Sequence, residues 1–319
     1  MKRVLVTGSD SEIGQEWQMS SPDDTVQYFF LSSEEVNLTS SRSLSKAIDT
    51  YQADIVVNLI HYDNRNEEKF PFLNYAKSIR DAVESKGSLL LHLSSDRVLG
   101  SSQVMISEEA DCLEDEYALA EKILSGYSEC CILRIPSTLL CNGEKDLLEI
   151  LFQRAQKNST LECIVDSAIS VITLNETCIA LEKIIASFER GIFHFACSGM
   201  CTEYSIAEEA FKLSSLAVKL VGISKEKRRA TKDFPEMRIL DTMKFQQRFR
   251  YIPSHWKWSL VSIISKRKKF PVKVGDKVVL GDITGIIVSL DWELQTVWIA
   301  DIDTLDTVIE LKFEDLTQL

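Results

Sequence analysis

Eleven residues near the start of the chain, Val4-Leu5-Val6-Thr7-Gly8-Ser9-Asp10-Ser11-Glu12-Ile13-Gly14, constrain what it can fold into more than any other stretch. An apolar β-type run enters a turn framed by Gly8 and Gly14, and a helix-type pattern follows at once. A strand, a glycine turn and a helix in that order aim the first helical N–H groups at one point, which attracts a phosphate. Gly8, Ser11, Glu12, Ile13 and Gly14 are therefore the candidate phosphate-side residues. Asp10 and Glu12 add negative charge there, and a carboxylate can itself cap those N–H groups.

The alternation continues. Arg3–Thr7, Thr25–Leu31, Asp54–Ile60, Ser88–Ser94 and Cys130–Ile135 read as buried strands, and Ser11–Met19, Ser41–Tyr51, Phe72–Ser85 and Asp115–Ser125 as the helices between them. That pattern predicts an α/β fold, a Rossmann-like doubly wound parallel sheet covered on both faces. From 145 to 265 the elements mix into a smaller α+β substrate lobe, with helices over Lys145–Lys157, Leu174–Glu189 and Ser205–Lys219 and a strand over Gly191–Ala196. The basic run Lys225-Glu226-Lys227-Arg228-Arg229 reads as a solvated loop, with a phosphate patch as the less favoured reading. After Ser265 and Lys266-Arg267-Lys268-Lys269 the style changes. Residues 271–319 carry three lysines and ten acids, so more than half of the chain's net charge of −12 lies in its last 49 residues. Short strands at Lys277–Leu280, Gly285–Leu290, Thr296–Asp301 and Val308–Phe313, with Gly275-Asp276 and Gly281-Asp282 turns, suggest a small all-β barrel of the SH3-like kind. The expected organisation is thus 1–265 followed by an appended module at 271–319.

With 36 Lys+Arg against 48 Asp+Glu, the balance argues against nucleic-acid binding. Eight cysteines in 319 residues are too sparse for a disulfide scaffold, and His61, His92, His194 and His255 show no ligand spacing. Reduced, mostly buried thiols and no metal site are expected. No window is apolar enough for a membrane span and the start is too short in apolar length for a signal peptide, so a cytoplasmic protein is expected.

At the end of the second strand of such a sheet an acid often bonds the adenosine ribose. Near there the chain offers Glu34, Glu35 and then Asn37-Leu38-Thr39. Val36-Asn37-Leu38-Thr39, Ala53-Asp54-Ile55-Val56-Val57-Asn58, Leu93-Ser94-Ser95-Asp96-Arg97-Val98, Leu133-Arg134, Gly191-Ile192-Phe193-His194-Phe195-Ala196 and Leu240-Asp241-Thr242-Met243-Lys244 follow one another as in dTDP-4-dehydrorhamnose reductase. The chain resembles that family of extended short-chain reductases over about residues 2–265. The resemblance implies NADP or NAD as cofactor, held by Gly8, Ser11, Glu12, Ile13, Gly14, Asn37, Leu38 and Asn58, and a nucleotide-linked 4-keto sugar as substrate. It also implies a Ser/Thr-Asp pair beside the ketone and a Tyr-x-x-x-Lys helix, the tyrosine donating a proton while the nicotinamide gives hydride.

Ser95 and Asp96 match the pair, and Tyr117 the proton donor. The pattern departs at four places: the middle glycine is Ser11, Asn37 is neutral, Arg97 replaces an aromatic, and Glu121 stands at the lysine position. Lys122 is one residue off, rotated by about 100° around the helix. A lysine one turn from a tyrosine lowers its pKa from about 10, and a carboxylate pushes the other way. The expectation is a catalytically impaired scaffold or regulatory subunit, with a protein partner bound through the C-terminal barrel. An active NAD(P)H-dependent reductase of a nucleotide-linked 4-keto-6-deoxysugar, with Arg97 or Lys122 replacing the lysine, is the alternative. On the first reading Glu121→Lys should restore cofactor affinity or activity.

Among the remaining candidates, His61 is an incidental loop histidine and Asn74 a backbone-bonding residue. Phe249, Tyr251, Trp256 and Trp258 form an aromatic cluster before a helix, read as core packing or a lid over the substrate lobe rather than a stacking platform for bases, Trp298 is read as barrel core, and Trp292 stays open.

Overall fold

The computed structural model describes residues 1–20, 25–59, 71–100, 105–141, 146–214, 216, 218–228 and 237–266, and in the C-terminal part the strand residues 277–280, 283–291, 296–301 and 308–312. His61, Trp292, the two Gly-Asp turns and residues 267–271 lie outside the described residues. The chain divides into two compact units, Met1–Ile264 and Ser265–Leu319.

The first unit runs β1 (Lys2–Thr7), α1 (Glu12–Met19), β2 (Val26–Leu31), α2 (Ser41–Tyr51), β3 (Ile55–Asn58), α3 (Phe72–Lys86), β4 (Leu89–Ser95), α4 (Glu116–Ser125) and β5 (Cys130–Ile135). It continues through β6 (Leu139–Leu140), α5 (Leu147–Lys157), β7 (Thr160–Ile164), β8 (Ile172–Thr173), α6 (Leu174–Ala186), β9 (Gly191–His194), α7 (Glu203–Leu213), β10 (Lys219–Ile223), α8 (Met243–Phe249) and α9 (Trp256–Lys266). Six strands form one sheet in the order β2-β1-β3-β4-β5-β9, every pair parallel. The buried runs Val4–Val6, Ile55–Val57 and Leu90–Leu91 are apolar on both faces because helices cover both faces. Helices α2, α3 and α4 pack in sequence on one face, and α1 with α6 lies on the other. Strand order reverses at β1, and a sheet of this kind opens its ligand crevice beside that switch point, at the carboxyl ends of the strands.

The helices start where side chains can take the first N–H groups: Ser11, Ser40, Asp115, Asp146, Thr173 and Thr202 each accept from the N–H three residues on. In the lobe, β7 pairs with β10 and β6 with β8, both parallel. The predicted helix 205–219 stops at Leu213, and its last residue opens β10 instead. Residues from Lys219 on form a strand because they pair in register with Thr160–Ile164, a partner far away in sequence that helical periodicity does not reveal. Trp256, Phe249 and Phe245 are buried, whereas Trp258 is 78% exposed; α9 buries residues 256, 260 and 264, and 258 falls on the opposite face. Seven of the eight thiols are buried, and burial pushes Cys130, Cys163, Cys178 and Cys197 up to about 12.

In the second unit β11 (Lys277–Leu280), β12 (Ile283–Asp291), β13 (Thr296–Asp301) and β14 (Val308–Lys312) form an antiparallel sheet in sequence order. The ladder between β12 and β13 shifts register between Ile287 and Ser289. Trp298 on β13 is half-buried, and its neighbours Ile299 and Ala300 are buried.

Candidate active site

The glycine turn is locked from both sides. The N–H groups of Gly8 and Ser9 both donate to the Leu31 carbonyl at the end of β2. Gly8 sits at φ 80°, a left-handed conformation that suits glycine. A Cβ on Gly14 would lie 2.6 Å from Ser9 Cα and 2.7 Å from the Gly8 carbonyl, so the helix passes too close to the turn for any side chain there. Ser11, at φ −73°, is under no such demand. Its hydroxyl donates to the Gly8 carbonyl at 2.7 Å and accepts the Gly14 N–H at 3.1 Å, closing the turn that a glycine would leave open. The N–H groups of Glu12 and Ile13 have no partner among the described residues and stand at the helix start, the arrangement that takes a phosphate. The two nearby carboxylates are tethered away: Asp10 accepts from Ser33, and Glu12 receives a weak Cys141 thiol contact at 3.7 Å.

Asn37 spends its Oδ1 on the Thr39 N–H and hydroxyl, an Asx turn that leads into the Ser40 cap of α2, and Leu38 is in the core. Asn58 is fully buried. Its Oδ1 accepts from Thr7 and from the Tyr75 hydroxyl at 2.6 Å, and its amide meets His92 Nδ1 at 2.8 Å. Thr7, Asn58 and His92 are register partners on β1, β3 and β4, so they form a polar rung across three strands, closed from above by Tyr75 of α3. Asn74, expected to bond backbone, is exposed; the residue beside it, Tyr75, faces the sheet.

A second rung lies one pleat on. Ser94, Arg134 and His194 are register partners on β4, β5 and β9, and Glu121 of α4 closes it. Glu121 and Arg134 are 2% and 1% exposed. The guanidinium binds the carboxylate through Nη2 at 2.6 Å and Nε at 3.1 Å, and the Ser94 hydroxyl donates to the other oxygen. Arg134 Nη1 meets His194 Nε2 at 3.3 Å, Nη2 reaches Cys112 Sγ at 3.1 Å, and His194 Nδ1 lies 3.0 Å from the Ile106 carbonyl. Burial, reinforced by Arg134, holds His194 down at about 3, so it is neutral and Nδ1 carries the proton towards Ile106.

This network corrects the electrostatic expectation. The Glu121 charge is met by Arg134 and Ser94 in the interior and is not a bare anion facing Tyr117. Helix α4 is continuous from its Asp115 cap, so no shift of register brings Lys122 round, and Lys122 is exposed. Tyr117 is half-buried, its ring 4.5 Å from that of Phe72 and packed against the cluster of Val98, Leu99, Ala118 and Leu240. Ser95 ends β4 and accepts the Arg97 N–H, and Asp96 opens the 3-10 turn against which α4 packs. Both are buried; Asp96 accepts the Ser137 N–H at 2.9 Å, and burial raises its pKa against the opposing pull of Arg238 and Ser137. Thus Ser95, Asp96 and the glycine turn lie at the carboxyl edge of the parallel sheet, and α4 packs against the turn that Asp96 opens. The polar rungs were not legible as such: Arg134, His194, His92 and Tyr75 come together only through strand register.

In the basic run near 225, of which Arg229 lies outside the described residues, two side chains are paired with acids. Arg228 and Arg154 both bind the buried Glu203 carboxylate, and Lys227 pairs with Glu162 at 3.4 Å. Among the described residues no three His, Cys, Asp or Glu side chains are grouped to hold a metal, and no helix is long and apolar enough to cross a membrane.

Known proteins share this fold. The chain is 22% identical over 280 residues to the spore coat polysaccharide biosynthesis protein SpsK of Bacillus subtilis (strain 168), covering 84% of this chain and 98% of that one. The dTDP-4-dehydrorhamnose reductase of Bacillus anthracis, solved in complex with NADP, superimposes with a TM-score of 0.72 at 14% identity, over 84% of this chain and all of that one (100%). A dTDP-4-dehydrorhamnose reductase of Clostridium acetobutylicum gives 0.71 at 19% identity, over 82% and 98%. Residues 1–269 match the family described as RmlD substrate binding domain, and the chain therefore belongs to that family of dTDP-4-dehydrorhamnose reductase-like proteins.

Proposed function

We propose that this chain keeps the dinucleotide cradle of its family, has given up the proton-transfer half of the site, and acts as a scaffold or regulatory partner subunit in the cytoplasm. The observation that carries this reading is the burial of Glu121 in the Ser94–Arg134 pair, one turn after Tyr117. A cation there would steady the cofactor ribose and ease proton donation by the tyrosine; Glu121 does neither, and Lys122 lies on the solvent side. The retained parts are the Gly8 and Gly14 turn and the N–H groups of Glu12 and Ile13, which would hold the pyrophosphate of NAD or NADP. The bound nicotinamide would supply hydride to a carbonyl carbon, and this chain's share would be to orient the carbonyl and donate the proton. On this reading Ser95, Asp96 and Tyr117 are remnants that now tie strand ends together. The acidic second unit, read as an SH3-like barrel, is the docking module for a protein partner, and its net charge of −7 over 271–319 disfavours nucleic acid.

The intact Ser95, Asp96 and Tyr117 at one edge of the sheet favour the second reading, an active reductase of a nucleotide-linked 4-keto-6-deoxysugar. Stopped-flow mixing of the full chain, NADH or NADPH and a dTDP-4-keto-6-deoxysugar separates the two. We expect dinucleotide binding without oxidation of the nicotinamide; steady turnover overturns the scaffold reading. Removing 265–319 should leave the first unit folded and abolish partner capture.

A further inference from the structure

We infer that the cleft selects NAD(H) over NADP(H), with Glu35 reading the adenosine ribose; this rests on the dinucleotide reading of the glycine turn. The adenosine ribose of a doubly wound sheet lies by the end of the second strand, where a carboxylate bonds the 2′-hydroxyl or an arginine takes the 2′-phosphate. Here that strand end is tied to the glycine turn through the Leu31 carbonyl, and the next residue, Ser32, carries no charge. Glu35 folds back over three residues to supply one. Its Oε2 accepts from the Ser32 N–H at 2.8 Å and from the Ser32 hydroxyl at 2.9 Å, which places a carboxylate at the mouth of β2. Those bonds hold its carboxyl below the usual range, so it is anionic. Oε1 has no partner among the described residues and is left to accept from a ribose hydroxyl.

Asp10 fixes a second anion close by. Its carboxylate accepts from the Ser33 hydroxyl at 2.5 Å and the Ser33 N–H at 3.3 Å, close enough for its charge to act on Glu35. Between Gly8 and Ser41 the sequence has seven acids and no lysine or arginine; the first cation is Arg42, beyond the Asn37 turn and on the first turn of α2. A 2′-phosphate would thus enter next to two carboxylates with no cation supplied by the segment from Gly8 to Ser41, whereas a 2′-hydroxyl gains an acceptor.

Fluorescence titration of the full chain with NADH and NADPH tests it. NADH should bind roughly 10–100-fold more tightly, from a few screened charge interactions. Glu35→Gln should bring the ratio to within about 3-fold, and Glu35→Lys should reverse it; Glu35 is exposed, so circular dichroism should show both variants folded. NADPH binding as tight as or tighter than NADH, or a preference unchanged in Glu35→Gln, overturns the inference and leaves the dinucleotide reading standing. Binding of neither up to millimolar removes the dinucleotide reading and the inference with it.

Discussion

Two parts of the first unit depart from the family pattern in different ways. At the glycine turn the family pattern is altered by a residue that does the same local work: Ser11 caps the helix it replaces a glycine in, Gly14 keeps the close approach, and two N–H groups stay open. At α4 the altered residue does different work. Glu121 lies in the interior, where it joins Ser94, Arg134 and, through Arg134, His194. A substitution on the surface of a turn is absorbed by one hydroxyl, while a charge reversal on a buried helix face is stable only with a full set of partners. The first leaves the site's chemistry open, and the second commits α4 to a structural task.

The strongest way to break this contrast is Glu121→Lys. The unburied reading makes it a restoration, but the structure places a second cation beside Arg134 in the interior. We expect a loss of at least about 3–5 kcal/mol in denaturant unfolding, or no folded protein. A well-folded variant that gains reductase activity would undo the distinction between the two parts.

The second rung also predicts a pH response. His194 titrates near 6.5 when unfolded and is held at about 3 in the fold, so below pH 6.5 the unfolded chain takes up a proton that the native one refuses. Stability should therefore fall as pH drops from about 6.5 towards 3, by up to about 1.4 kcal/mol per pH unit. Asp96, raised by burial, acts in the opposite sense, losing its contribution as pH rises above its unfolded value. Comparing urea midpoints of the parent and His194→Gln across that range isolates the histidine, since Asp96 is common to both. Parallel curves would remove His194 from the network.

At the turn, Gly14→Ala should cost about 1–3 kcal/mol through contact with Ser9 and Gly8 and abolish dinucleotide binding at the same time. Retained binding would mean that the cradle is looser than its geometry. The smallest effect belongs to Lys122→Ala, which should change stability by less than about 0.5 kcal/mol and leave NADH affinity untouched, since the side chain is exposed. A large fall in affinity would put Lys122 at the ribose and revive the active-reductase reading.

Strands β1 to β5 and helices α1 to α4 were legible because apolar runs of strand length alternate with amphipathic stretches, opened by a Ser or Asp cap in α1, α2 and α4 and by Pro71 in α3. Cys130–Ile135 and Ser41–Tyr51 match the observed elements to the residue. Pairing partners were not legible. Nothing near Glu121 points to Arg134, thirteen residues on, or to His194, sixty beyond that; parallel register sets those distances and has no local signature. In the same way Asn74 and Tyr75 differ by one helical step, and periodicity alone does not say which of two polar neighbours faces the sheet.

One cysteine stands apart from the other seven. Cys112 is exposed, yet its sulfur rests 3.1 Å from Arg134, while the remaining thiols are shut away. A maleimide dye should consequently attach at a single position and report, by its emission, on whether the guanidinium beneath it stays in place during heating or ligand addition.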